Sequence, residues 1–292
     1  MWFILLSLAI VALTCLIYNQ YTFWSRNGVP GDKHLIPFGS LKETVFGKKA
    51  TGLVIHNIYK HHKEPFVGVY MLFQPALLIR DVELVRNVLV QDFNSFHDRG
   101  TGTKVTIELF SMRGASWKTL RAKLTPLFST GKLKSILTSV NEVGDRMLNH
   151  INTQLVESKY PGLPFLNREC TQDYKIPNSD YTVKKGTSVI ISVLGLHYDP
   201  ENFPDPMKFD PPRFSEEQHN YNADAYMPFG EGPRPCIARR MCSINSKIAV
   251  IKVLANFNIA PKEHKEIEID FSPGVAFIPK GGLQMKLTKK IK

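Results

Sequence analysis

The segment MPFGEGPRPCIARR, residues 227–240, constrains the fold more than any other part of the chain. Its glycines and prolines leave a loop with few side chains, so the backbone can lie close to a flat ligand. The loop leads to Cys236, and apolar residues then recur three and four positions apart, which is typical of a helix. These residues are Ile237, Met241, Ile244, Ile248, Ile251 and Ala255. The sequence therefore predicts a cysteine held by a tight loop at the start of a long helix.

Cys236 has the predicted surroundings of a thiolate ligand. A helix N-terminus presents free N–H groups and a positive dipole end, and both favour a thiolate over a thiol. A thiolate is the form that binds iron, and Arg234 offers a planar fork to a carboxylate. The alternatives are a small buried hydrophobe and a catalytic nucleophile paired with one of the nine histidines. Neither explains why a glycine-rich loop, an arginine and a helix start converge on one cysteine.

The first 24 residues form a second distinctive segment, because they carry no charged side chain and are mostly apolar. A helix of this length can cross a bilayer, and Trp2 and Trp24 lie near its ends, where aromatic residues are favoured. A cleaved signal peptide is the alternative, but no charged start and no cleavage site precede Asn19. Basic residues, including Arg26 and Lys33, follow the segment, so we expect the body to face the cytosol.

Composition narrows the class of protein. With 43% hydrophobic and 22% charged residues, the 292-residue chain is globular rather than disordered or fibrous. Four cysteines without a CxxC pair disfavour a disulfide framework and fit a reducing compartment. The net charge of +11 indicates an anionic protein or lipid partner, or simply a basic surface. Nucleic acid is not an expected partner, because the sequence shows no zinc-finger spacing and no aromatic-basic strip.

The body of the chain alternates between strand-like and helix-like patterns. FVGVYMLF and ALLIR predict two strands joined by a tight turn, and DVELVRNVLV predicts a short helix. Helical periodicity follows over residues 116–134 and 136–156, disturbed at Pro126. TSVIISVLGL predicts one strong buried strand, and VAFIPKGGLQMKL predicts a hairpin that turns at Gly281 and Gly282.

The cysteine loop resembles the heme-binding signature of the cytochrome P450 family, F-x-x-G-x-R-x-C-x-G. Phe229, Gly232, Arg234 and Cys236 match it, and Ala238 stands where glycine is usual. The resemblance is closest to the microsomal, drug-metabolising branch of insects and vertebrates, and it covers nearly all of residues 25–290 in two blocks. Other family segments match in order along the chain, at Arg99 in FHDRG, at Trp117 and Arg121 in W-x-x-x-R, at Arg168 in RECTQDYKIP, and at Phe209, Pro211, Arg213 and Phe214 in FPDPMKFDPPRF.

The resemblance implies a fold, a cofactor and an activity. The fold is α+β and predominantly α, a cytochrome P450-like fold lacking its central helices, with an N-terminal membrane anchor. The cofactor is heme, whose iron is bound by the Cys236 thiolate, with Phe229 packed near the sulfur. The implied activity inserts one oxygen atom of O2 into an apolar small molecule, using electrons from NADPH through a flavoprotein reductase at the endoplasmic reticulum membrane. The residues implied to hold the heme propionates are Arg99, Trp117, Arg121, Arg168 and Arg234.

The resemblance also implies a large internal gap. The chain divides into an anchor at 1–24, a Pro/Gly linker at 25–37, an N-terminal part at 38–156 and a C-terminal part at 157–292. The central helix with its acidic-alcohol pair is missing between the two parts, and the glutamate and arginine of the family's E-x-x-R motif fall at Leu155 and Ser158. Arg213 would then lack its charged partners. A catalytically inactive, membrane-anchored remnant with partial or no heme binding is therefore the alternative function, and a cysteine hydrolase is a weaker one.

The reductase implied by the resemblance has an acidic docking face, so the heme-thiolate side of the chain should be basic. The candidate residues cluster in the two predicted helices that would flank that side. We expect complementary charge there to speed encounter more than it tightens binding. The candidates are Lys118, Lys123, Lys132, Lys134, Arg239, Arg240 and Lys247.

Overall fold

The computed structural model describes residues 1–100, 108–149, 163–208, 210–215, 220–261, 271, 272, 274 and 285–290. The helices are α1 Trp2–Tyr21, α2 Phe23–Arg26, α3 Lys42–Val45, α4 Thr51–His61, α5 Val82–Arg86, α6 Gly114–Leu124, α7 Thr130–Asn149, α8 Val193–His197 and α9 Arg239–Asn256. The strands are β1 Phe66–Met71, β2 Gln74–Ile79, β3 Leu166–Glu169, β4 Tyr174–Lys175, β5 Thr182–Val183, β6 Ser188–Ile191, β7 Phe257–Pro261 and β8 Met285–Lys289.

One four-stranded sheet, in the order β1-β2-β6-β3, unites the two halves of the chain. The predicted hairpin of β1 and β2 is confirmed, with Val67 opposite Leu78. The second strand of that hairpin pairs in parallel with β6, where Leu78 faces Ile190, and β3 pairs antiparallel with β6. Leu78 and Ile190 are at most 2% exposed. The N-terminal and C-terminal halves therefore share one core, and burying their strands stabilises the halves together.

The prediction that TSVIISVLGL forms a single strand is wrong beyond Ile191. The strand β6 ends there, and the short helix α8 begins at Val193. The Ser192 hydroxyl accepts a hydrogen bond from the backbone N–H of Gly195 at 3.0 Å, so Ser192 caps the helix. Both elements are buried, and for this reason the apolar run continues across the change of structure.

The helical region predicted for the middle of the chain forms two helices, which are separated by a turn at Pro126. The helix α6 ends at Leu124, a 3-10 turn covers Thr125–Phe128, and α7 begins at Thr130. Proline has no N–H to continue the helix, which accounts for the interruption. The last residues of the second predicted helix, 150–156, lie outside the described residues.

The end of the chain is only partly described. The strand β8 pairs antiparallel with β7, with Ile259 opposite Leu287. The predicted hairpin turn at Gly281 and Gly282 lies outside the described residues. The predicted final helix is confirmed as α9, which begins three residues after Cys236.

The N-terminal helix α1 is long and apolar enough to cross a membrane, with a mean hydropathy of 2.1. None of its most apolar stretch is buried against the body. Beyond the helix the chain packs onto β1. Trp24 is 1% exposed, and its indole N–H donates to the Val69 carbonyl at 3.0 Å. A Cβ atom at Gly68 would overlap this indole ring, so only glycine allows the contact.

Residues 25–37 also lie along β1. Val29 is buried, and the backbone N–H of Asp32 donates to the Gly68 carbonyl at 2.9 Å. The backbone N–H of Gly68 donates in turn to the Pro30 carbonyl at 2.7 Å. These bonds hold the segment against the sheet.

Candidate functional site

Four segments of the chain bring the arginines of the predicted site together. Arg99 follows a 3-10 turn at Phe93–Ser95, Arg121 belongs to α6, Arg168 belongs to β3, and Arg234 lies in the cysteine loop. The Arg99 guanidinium donates to the Arg234 carbonyl at 3.2 Å, which joins the first and last segments. The charges of Arg99, Arg121, Arg168 and Arg234 influence one another, which places them in one cluster. We call these four residues the arginine cluster.

Arg234 is the most firmly held member of the cluster. Its guanidinium lies over the Trp117 ring, with its carbon 4.0 Å from the ring centroid. It donates to the Met112 carbonyl at 2.8 Å and approaches Asp98 Oδ1 at 3.4 Å. Arg234 is 2% exposed and Trp117 is 7% exposed. Stacking and hydrogen bonds on one edge therefore fix the plane of the guanidinium and leave its other edge free.

Several buried nitrogens of the cluster have no hydrogen-bond partner among the residues that the structure describes. They are Nε of Arg99, Nε and Nη2 of Arg168, and Nε and Nη1 of Arg234. Arg168 is 1% exposed, and its Nη1 donates to the Asn167 carbonyl at 2.8 Å. Buried donors without partners are rare in folded proteins, since each one costs about 1–3 kcal/mol. The arrangement is typical of a site whose N–H groups donate hydrogen bonds to the oxygen atoms of a ligand.

Burial makes the charged forms of these arginines costly. Desolvation, followed by the neighbouring arginines, lowers the pKa of Arg168 to about 9. The same desolvation lowers the pKa of Arg99 and the pKa of Arg234 to about 10 each. Burial lowers the pKa of Arg121, whereas a negative charge on Cys236 acts in the opposite direction. An anionic ligand in the cluster would relieve this electrostatic cost.

Asp98 is a member of the site that sequence reasoning missed. Its carboxylate accepts from the backbone N–H of Gly114 at 2.8 Å and lies within 3.4 Å of Arg234. Its carbonyl accepts from the backbone N–H of Glu169 at 2.8 Å, beside Arg168. Asp98 thus ties α6, β3 and the cysteine loop together. The signal in the sequence was a carboxylate directly before Arg99 in FHDRG, which the motif comparison passed over.

The cysteine loop has the geometry that its glycines predict. Gly232 has a φ of +73°, in the left-handed region, and a Cβ atom there would collide with the Leu89 carbonyl. The loop closes where the backbone N–H of Cys236 donates to the Phe229 carbonyl at 2.8 Å. The side chain of Cys236 is exposed, and Phe229 is half-buried. An open cysteine next to a cationic cluster is therefore available to a ligand.

Arg213 and the segment before the loop are described in part. Arg213 is 7% exposed and donates to the Asp205 carbonyl at 3.1 Å. Among the residues that the structure describes, no carboxylate lies within ion-pair distance of Arg213. Phe209 lies outside the described residues.

His197 contacts the first residue of the cysteine loop segment. Its Nε2 atom accepts a hydrogen bond from the backbone N–H of Met227 at 3.2 Å, so the ring is neutral. Burial lowers the pKa of His197 to about 4. The fold thus holds a neutral imidazole at the point where the cysteine loop begins.

We expect His197 to make stability depend on pH between about 4 and 6.5. Because its folded pKa is the lower one, the unfolded chain binds more protons in this window, and stability falls as pH falls. The total loss by pH 4 is about 3 kcal/mol. Urea unfolding of the wild-type chain and of His197→Gln, at a series of pH values, isolates the contribution. If the free energy of unfolding fell with pH equally steeply in the two proteins, the prediction would be contradicted.

Comparison with known proteins identifies a family. The model of the cytochrome P450 family matches residues 29–159 and 159–286. The chain is 29% identical to Cytochrome P450 6d3 of Musca domestica over 513 aligned positions, which cover 99% of this chain and 98% of that protein. It is also 29% identical to Probable cytochrome P450 6d4 of Drosophila melanogaster over 511 positions, which cover 99% of each.

The comparison also shows the internal gap. The 513 aligned positions exceed the 292 residues of the chain by 221, so at least that many positions have no residue here. The two parts of the family match meet at residue 159, where the sequence predicts the junction. The chain therefore belongs to the cytochrome P450 family of heme-dependent monooxygenases, and it lacks the central helices of that fold.

Proposed function

We propose that this chain binds heme, with the Cys236 thiolate as the iron ligand. The observation that carries the proposal is a set of five buried guanidinium nitrogens on Arg99, Arg168 and Arg234 that find no partner within the described part of the chain. Heme brings two propionate carboxylates, and arginine forks bind carboxylates through paired hydrogen bonds. Arg121 adds positive charge, and Trp117 fixes the plane of Arg234.

The proposed activity is the insertion of one oxygen atom of O2 into an apolar small molecule. A thiolate-ligated heme supplies the oxygen-activating chemistry when it is bound. The chain's own part is to hold the carboxylates, to present an ionised sulfur at Cys236, and to orient that sulfur through the bond from its N–H to the Phe229 carbonyl.

Electrons would come from NADPH through a flavoprotein reductase that docks on the basic side. The seven lysines and arginines of the predicted docking face are all exposed, and they lie on α6, α7 and α9. Complementary charge of this kind speeds encounter with an acidic partner. Location at the endoplasmic reticulum membrane, with the body in the cytosol, is supported by α1 and by the basic residues that follow it.

A second candidate is a membrane-anchored remnant that binds heme partly or not at all and does not turn over substrate. The missing 221 positions favour it, because they include the central helices that cover the oxygen-binding side of heme in the family. An uncovered heme is open to water and to loss of its ligand. Both candidates contain the arginine cluster. They differ in whether heme is bound fully and in whether substrate is turned over.

The reduced carbon-monoxide difference spectrum of the purified, heme-reconstituted chain tests the first candidate. A red-shifted band of the thiolate type is the expected result. A folded chain that takes up no heme would overturn heme binding. A good band without NADPH-dependent turnover of any apolar substrate, with reductase added, would leave the second candidate.

Replacing Arg168 with methionine should have opposite effects on stability and on heme affinity. Arg168 is a buried charge without a carboxylate partner among the described residues, so methionine should stabilise the heme-free chain by about 1–4 kcal/mol. Heme affinity should fall about tenfold, since one carboxylate-binding fork is lost. Urea unfolding and hemin titration measure the two effects.

The matched control is Arg86→Met, on an exposed arginine whose ion pair with Asp224 lies at the surface. It should change stability by less than about 1 kcal/mol and leave heme affinity unchanged. A heme-free Arg168→Met protein that is less stable than wild type and binds heme with unchanged affinity would show that Arg168 serves the fold alone.

A further inference from the structure

A groove with a volume of about 500 Å³ runs between α7 and α9. Of the residues of α9, only Val253 is buried, and Ile251 is 65% exposed. The apolar stripe predicted for this helix therefore lacks much of its cover among the described residues. The groove is lined by Thr130, Leu133, Lys134, Leu137, Arg239, Arg240, Ser243 and Ile244.

One end of the groove is cationic. Both helices begin there, α7 at Thr130 and α9 at Arg239. The Arg240 guanidinium donates to the Thr130 hydroxyl at 3.1 Å, which fixes it between the two helices. Lys134 adds a third positive charge, and no acidic side chain lines the groove within the described ranges. This end, which we call the mouth, therefore favours an anion.

The rest of the groove is apolar. Its walls are Leu133, which is 5% exposed, with Leu137 and Ile244. Farther along both helices, these three residues pack with Val140 and Met241 around a space too narrow for a water molecule, so the apolar contact between the helices continues there as close packing. A cationic mouth that opens onto an apolar channel is complementary to an anion that carries an apolar chain.

We propose that the groove binds a long-chain fatty acid, with its carboxylate at Arg239 and Arg240 and its chain between α7 and α9. The volume lies within the usual range of about 300–1,000 Å³ for small-ligand sites. Arginine is the side chain best suited to a carboxylate. A second copy of the chain fits less well, because it would bring its own cations to the mouth. The proposal does not rest on heme binding.

The experiment uses the full chain in nanodiscs of neutral phosphatidylcholine. The probe is palmitic acid with a photoactivatable diazirine near the end of its chain, and the matched probe is its methyl ester. The acid should label residues within 133–140 and 241–245 about tenfold more than the ester does, since the ester cannot form charge-assisted bonds with arginine. The double variant Arg239→Gln with Arg240→Gln should lose this preference. Lys247→Gln, on the same helix but outside the groove, should keep it.

Three outcomes would overturn the proposal. The first is equal labelling by the acid and the ester, and the second is unchanged labelling in the double variant. The third is labelling that disappears as the chain self-associates at higher protein concentration, which would assign the groove to a second copy. Urea unfolding of the double variant checks that it is folded, and Leu137→Trp, which narrows the channel without changing charge, should reduce labelling independently.

Discussion

Replacing Cys236 with alanine is expected to abolish the thiolate-type band in the reduced carbon-monoxide spectrum of the heme-loaded chain. The sulfur of Cys236 is the proposed iron ligand, and alanine offers no atom that can replace it. The arginine cluster stays intact in this variant, so some heme should still bind, with an unshifted spectrum. Because Cys236 is exposed, its removal should change the free energy of unfolding of the heme-free chain by less than about 0.5 kcal/mol.

The matched control is Cys242→Ala, which removes the other exposed cysteine of the same region. Burial, followed by the neighbouring Cys236, raises the pKa of the Cys242 thiol, so Cys242 is less ionised and is a poorer ligand. The band should therefore survive in this variant. A band that persists in Cys236→Ala and disappears in Cys242→Ala would show that Cys242, and not Cys236, is the iron ligand.

Gly232→Ala should destabilise the chain by at least about 3 kcal/mol. A Cβ atom at this position would collide with the Leu89 carbonyl, and the backbone φ of +73° adds strain for any other residue. Leu89 is fully buried in the π-helical turn Asn87–Gln91, so it cannot move aside easily. The loop would have to shift, and Arg234 and Cys236 would shift with it. Urea unfolding measures the loss of stability, and hemin titration measures the effect on the site.

Gly230→Ala separates the collision from the backbone strain. Gly230 lies in the same loop with a φ of +74°, but a Cβ atom there would meet other atoms only at 3.9 Å. This variant should therefore lose only about 1 kcal/mol, the cost of a left-handed residue that is not glycine. Equal losses for the two variants would show that the contact between the loop and Leu89 does not determine stability.

Much of the candidate site could be predicted because it depends on short, local patterns. The cysteine loop combines glycine, proline, arginine and a helix start within ten residues, and each residue type has a distinct conformational or chemical reason to be there. The confirmed hairpin of β1 and β2 has the same local character, with two apolar runs on either side of a tight turn. Such features depend on neighbours in the sequence, and for this reason they are visible in it.

The contacts that complete the site depend on distant segments. The parallel pairing of β2 with β6 joins residues more than 100 positions apart, and no local pattern announces it. Asp98 was missed because its partners, Gly114, Glu169 and Arg234, come from three other segments. The change from β6 to α8 was missed for a different reason. Burial on all sides erases the periodicity that separates a strand from a helix, and only the capping role of Ser192 marks the boundary.

The packing of Trp24 against Gly68 has a consequence for how the protein would sit at a lipid surface. A helix joined to its body by loose chain lets the body swing, so the distance of any site from the bilayer varies. Here Tyr21, the last residue of α1, is buried, and its hydroxyl donates to the Pro37 carbonyl at 2.7 Å. These contacts restrict rotation of the body relative to α1. With α1 inserted, the sheet, and with it Cys236, would keep a set height and tilt above the headgroups.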